Sequence, residues 1–134
     1  MSEHITYLSR DDLLDLHTIA VERYGGLLGI ASQDRLLNVI NAPRQEMFGA
    51  EVYTDLPSKA AAMVFLLVKS APFLGANITT ALFVLLRFLE INQAQLRDGT
   101  DESELFWVFR SLSHGDLDRE GLERWLRESV VSCA

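Results

Sequence analysis

Hydrophobic residues recur along this chain mainly at the three- and four-residue spacing of amphipathic helices. Ser9 with Asp12 has the spacing of an N-terminal cap, Leu13, Leu16, Ile19 and Ala20 follow on one face, and Gly25-Gly26 closes the helix. Ser32 caps a second helix with Leu36, Leu37 and Ile40 on one face, and Pro43 stops it, because the residue before a proline avoids helical backbone. Residues 44–56 lose the helical period. There Met47, Phe48, Val52 and Tyr53 flank Gly49, which permits a short hairpin or an extended loop. A third helix starts at Pro57 or Ser58 and runs to Lys69, ended by Ala71-Pro72.

The fourth helix, expected over 78–90, leaves almost no polar face and must be wrapped by the others. Thr100 or Asp101 begins a fifth, carrying Leu105, Phe106, Val108, Phe109 and Leu112 and closed by Gly115. Asp118 begins a sixth, with Leu122, Trp125 and Leu126 inward. Leu126, Val130 and Val131 extend that helix toward an apolar end, either an interface or a frayed terminus. Trp107 and Trp125 read as core or partly buried anchors. The pattern predicts an all-α bundle of about six helices in a single domain over 1–134, without repeat or linker.

Composition narrows the function. The 134 residues are 49% hydrophobic, which excludes intrinsic disorder and gives enough apolar mass for a core. Twelve Lys+Arg against nineteen Asp+Glu leave a net charge of -7, so no nucleic-acid partner is expected, since that affinity comes chiefly from cations on phosphates. The one cysteine, Cys133, has no internal disulfide partner and fits a reduced cytoplasm. Residues 1–8 show no basic stretch with an apolar run behind it, so no leader is expected. The apolar runs 60–68 and 78–86 are broken by Lys69 and Arg87, short of the roughly 20 residues that span a bilayer.

The order of features resembles the Fic/Doc (Fido) family, in particular its death-on-curing branch, over nearly the whole chain. The likeness rests on Ile5-Thr6-Tyr7-Leu8-Ser9, Leu16-His17, Arg23-Tyr24-Gly25-Gly26-Leu27-Leu28-Gly29-Ile30 and Lys59-Ala60-Ala61-Ala62. It continues through Ala71-Pro72-Phe73-Leu74-Gly75-Ala76-Asn77-Ile78-Thr79-Thr80-Ala81 and the late Ser113-His114-Gly115-Asp116-Leu117. The resemblance implies a compact Fic/Doc-like bundle, with a flap hairpin in the region 44–54 that aligns a peptide by strand pairing. In active relatives the segment at 71–80 supplies four groups. A histidine acts as general base, an acidic residue holds magnesium, a small residue and asparagine shape an anion loop at a helix N-terminus, and an arginine neutralises phosphate charge.

Here Ala71, Gly75, Ile78 and Thr79 stand at the histidine, acidic, lysine-or-glycine and arginine positions, while Phe73, Ala76, Asn77, Thr80 and Ala81 match. A general base alone is worth about a hundred- to ten-thousand-fold. The resemblance therefore implies no catalytic residue, no metal site and no cofactor. The loop of Phe73, Gly75, Ala76, Asn77, Thr79 and Thr80 either keeps a residual anion or ligand site or merely starts the helix, with Asn77 and Thr79 as caps. His17 is expected in the core or an interface away from this motif, His114 at a helix C-terminus and His4 in the tail.

Met47, Phe48, Val52 and Tyr53 either grip a peptide or partner or fold back as a lid. The expected function is a catalytically inactive family member that acts by binding a protein, such as a peptide or antitoxin-like helix at the flap. Two alternatives stay open: an enzyme with non-standard chemistry on a nucleotide-like or phosphorylated small molecule, and a degenerate toxin-antitoxin component.

Overall fold

The structure is a computed structural model that describes residues 4–133; residues 1–3 of the segment read for a leader lie outside it. Six α-helices follow in order: α1 Arg10–Tyr24, α2 Gln33–Asn41, α3 Leu56–Ser70, α4 Asn77–Glu90, α5 Glu102–His114 and α6 Arg119–Ser129. Five of their starts are written in the sequence as acceptor side chains. Ser9, Ser32, Asp55, Asp101 and Asp118 each accept the N–H three residues on, and Ser9 and Asp55 do so within reciprocal capping boxes. Each such cap is worth about 1 kcal/mol, because it satisfies a backbone donor that the helix leaves free. Asp55 moves the start of α3 ahead of the expected Pro57 or Ser58; Ser58 is instead the reciprocal member of the box.

α4 runs through the bundle as its hydrophobicity demands, burying Ala81, Val84, Leu85, Phe88 and Leu89. α3 shares the centre with it. Residues 58–64 are continuously buried, and α3 touches α2, α4, α5 and α6, since three successive alanines let neighbouring backbones come close. α1 packs on α4 from the other side. In α2 the inward face is Leu36, Val39 and Ile40, and Leu37 points outward, 54% exposed. Pro43 does stop α2, in a single 3-10 turn over 42–44.

Two short antiparallel pairs complete the fold. β1 Glu46–Met47 and β2 Ala50–Glu51 form a hairpin around Phe48 and Gly49, both at positive φ. β3 Ala94–Leu96 pairs with β4 Val130–Ser132. The last segment therefore neither continues α6 nor frays: Val130 turns to extended backbone and finds its hydrogen bonds on β3. Trp107 corrects a second expectation. It is 58% exposed, whereas Trp125 is half-buried with its indole N–H donating to Glu104 Oε2 at 2.8 Å. Among the described residues no helix is long and apolar enough to cross a membrane.

Candidate functional site

The segment 71–80 connects α3 to α4 through two left-handed residues, Ala71 (φ 48°) and Ala76 (φ 56°). A non-glycine residue in that region costs about 1 kcal/mol or more, so surrounding contacts must hold the loop. They come from the connector between α1 and α2. Pro72 O accepts from Ala31 N–H and Ser32 N–H, and Leu74 N–H donates to Gly29 O at 2.9 Å. Ile30 and Phe73 form a bridge there. Asn77 fastens the loop from within: its Oδ1 accepts from Phe73 N–H and its Nδ2 donates to Phe73 O, both at 3.0 Å. It is not a helix cap. Ala76 occupies the cap position of α4 and no side chain caps that helix.

His17 lies beneath this loop, not away from it as expected. It is 2% exposed and its ring stacks on Phe73 with centroids 3.9 Å apart. Gly29 N–H donates to Nε2 at 3.3 Å, so that nitrogen is unprotonated. Thr80 gives its hydroxyl hydrogen to Ala76 O at 2.6 Å, which leaves Oγ1 to accept from His17 Nδ1–H at 3.0 Å. One tautomer satisfies every member of the chain from Gly29 to Ala76. Burial holds the imidazole below its ordinary pKa, in keeping with a neutral ring. With both nitrogens committed, His17 positions the loop and has no free lone pair with which to act as a base.

The small residues of the two segments are forced by their approach. A Cβ on Gly75 would stand 2.7 Å from Leu27 N, and one on Gly26 would meet Ala76 Cβ at 3.1 Å. An acidic side chain at 75 therefore has no room while the connector is in place. Phe73 is buried, Thr80 fully buried, Gly75, Ala76, Asn77 and Thr79 half-buried, and Leu74 and Ile78 exposed. The loop's rim is thus apolar. No group of three or more His, Cys, Asp or Glu among the described residues is placed to hold a metal ion.

The hairpin is the second candidate. Phe48 at its tip is fully exposed, Met47 57% and Val52 39%, so these three do not fold back as a lid. Tyr53 is half-buried beneath Arg119, whose guanidinium lies 5.1 Å from the ring centroid. Its base is fixed by a residue whose role sequence reasoning missed. Lys59, 1% exposed on α3, donates to Pro43 O and to Glu51 Oε1 of β2, each at 3.1 Å, under the ring of Tyr7. Burial alone would lower its pKa, but Tyr7 and Glu51 outweigh that and raise it, so the ammonium stays charged. The available signal was a lysine set directly against three alanines on a buried face, where a charge requires a partner. Val52 N–H to Gln45 O at 2.9 Å closes the hairpin.

Against known proteins, a model of the Fic/DOC family matches residues 7–89. Toxin Doc of Mycolicibacterium smegmatis is 28% identical over 116 residues, covering 87% of this chain and 87% of its own. Protein kinase doc of Escherichia phage P1 is 30% identical over 99 residues, 74% of this chain and 78% of its own. The matched span contains the loop, the connector and the hairpin.

Proposed function

The chain belongs to the Fic/DOC family, and from that premise we propose that it keeps the family's binding apparatus without its transfer chemistry. It acts by holding a protein, a peptide or antitoxin-like helix at the hairpin, in the cytoplasm that its single cysteine suits. The observation that carries this reading is the contrast between the two candidate sites. The loop has Ala71, Gly75 and Thr79 where active relatives have a base, an acid and an arginine, and its one adjacent histidine is fully engaged. The hairpin, by contrast, is anchored by an ion pair to the buried Lys59 and presents Met47, Phe48 and Val52 to solvent. Anchoring strand backbone while exposing apolar side chains is what strand-addition recognition requires.

The magnesium site of the family does not fit these residues. Gly75 offers no oxygen, and the backbone of Leu27 fills the space an acidic side chain would need. The same packing of Gly26 and Leu27 on Gly75 and Ala76 counts against a small-molecule enzyme at this loop. One relative's name, a toxin, supports an antitoxin-like partner, which would carry an apolar strand or helix to meet Phe48.

The test is affinity isolation from the producing cell with the wild-type chain and with Met47→Ser/Phe48→Ser. A protein retained by the wild type and lost with the variant is expected. Capture of the same set by both contradicts a hairpin-directed partner.

A further inference from the structure

An open groove of about 960 Å³ runs between the end of α1, the start of α4 and the length of α5. Tyr24, Ile78, Leu82 and Phe109 line it. Phe106 stands on its α5 wall 65% exposed, with Trp107 beside it 58% exposed. Phe106 and Tyr24, the latter 69% exposed, line the same groove, and exposed aromatics grouped in this way mark an association site. α5 turns its buried side, Val108, Phe109 and Leu112, to α3 and α4.

The charges around Phe106 are arranged symmetrically. Glu102 and Arg110 line the same groove, four residues before and four residues after Phe106. Each step of four advances about 40° around a helix, so the three share one face over about 12 Å. Neither Glu102 nor Arg110 makes an ion pair with another described residue; Arg110 leans only toward the Phe106 ring, at 5.8 Å. Acid early and base late also suits the helix dipole, so charge order alone would signify little. Its combination with an exposed aromatic at the midpoint is what selects an occupant. An acidic segment would meet Glu102 and a basic one Arg110; a second α5 laid antiparallel meets both with the opposite charge.

We propose that this face is a two-fold interface between copies of the chain. α5 of one copy lies antiparallel on α5 of the other, Phe106 at the axis, each Glu102 opposite the other copy's Arg110. Such an isologous contact is self-complementary by construction. Around the axis each copy's groove, lined by Leu82 and Tyr24, faces the other copy's Phe106. The interface shares no residue with the hairpin, so its failure and the failure of the partner-binding reading are separable.

Sedimentation velocity on the full chain, from low to high micromolar concentration, should show a reversible species of twice the 15.1 kDa chain mass. Phe106→Ala should weaken it at least about tenfold, as for an aromatic at an interface centre. Glu102→Arg and Arg110→Glu should each be monomeric alone, through like charges facing across the axis, and should form a heterodimer when mixed. Circular dichroism checks that these exposed substitutions leave the helices intact. A chain that is monomeric throughout overturns the interface, as does a dimer indifferent to Phe106→Ala. Single charge variants that mixing does not rescue overturn the antiparallel register. An occupant other than a second copy would appear as a monomer in every one of these measurements.

Discussion

Gly75 is the residue at which the proposed loss of transfer chemistry and the packing meet. Its missing side chain removes the acidic position of the family loop, and the space is filled by Leu27 backbone. Restoring an acid there should not restore a site. We expect Gly75→Asp to destabilise the fold by about 1–3 kcal/mol, the usual cost of overpacking, as read from urea unfolding midpoints. His17 gives a second, pH-dependent expectation. Its folded pKa is lowered by burial, so between that value and the ordinary 6.5 the unfolded chain binds more protons. Stability is therefore greatest above 6.5 and falls as pH drops through it. Protonation also places a second donor against Gly29 N–H. Urea midpoints at pH 7.5 and 5.5 should differ in the wild type, and His17→Gln should lessen that difference at a cost in overall stability.

At the scale of elements, the hairpin and α6 are both tied to the start of α3. Lys59→Met removes the anchor of β2 and leaves Glu51 and Pro43 O without their partner. The cost should be about 2–3 kcal/mol, below that of a fully buried pair because Glu51 is 41% exposed. Amide exchange across residues 46–51 should rise more than in α4. Asp55 caps α3 and also receives Arg127 of α6 at 2.7 and 3.2 Å. Burial would raise its carboxyl, but the Arg127 and Ser58 hydrogen bonds prevail and hold it at about 2 against an ordinary 3.8. Its contribution is present above about pH 4 and is lost as pH falls toward 2. Asp55→Ala should cost about 1–2 kcal/mol at pH 7, mostly the cap, since the ion pair is partly solvated. Thermal midpoints of wild type and variant should converge below pH 3.

These elements also show what was legible in the sequence. α1, α2, α5 and α6 announce themselves through Ser9, Ser32, Asp101 and Asp118, because a cap is a local event. β3 and β4 are not legible: three residues carry no period, and each strand exists only because the other lies beside it. The place of His17 under the loop depends on residues 28–32 returning against 72–74, contacts far apart in sequence. Trp107 follows Phe106 on a helix whose buried face was already filled by Val108 and Leu112, so its exposure is a consequence of competition for one face.

For the whole molecule, the structure joins a tightly held loop, an anchored and exposed hairpin, and an open groove along α5 in a chain of net charge -7. The connector, Asn77 and His17 all hold the loop, and on the proposed reading Ala71, Gly75 and Thr79 leave it without transfer chemistry. The most direct measurement is incubation of the purified chain with magnesium and ATP labelled at the α- or the γ-phosphate, alone and in an extract of the producing cells. No label should reach this chain or any other protein above a control without it. Transfer of label that disappears with Asn77→Ala or Thr80→Ala would contradict a binding protein without transfer chemistry.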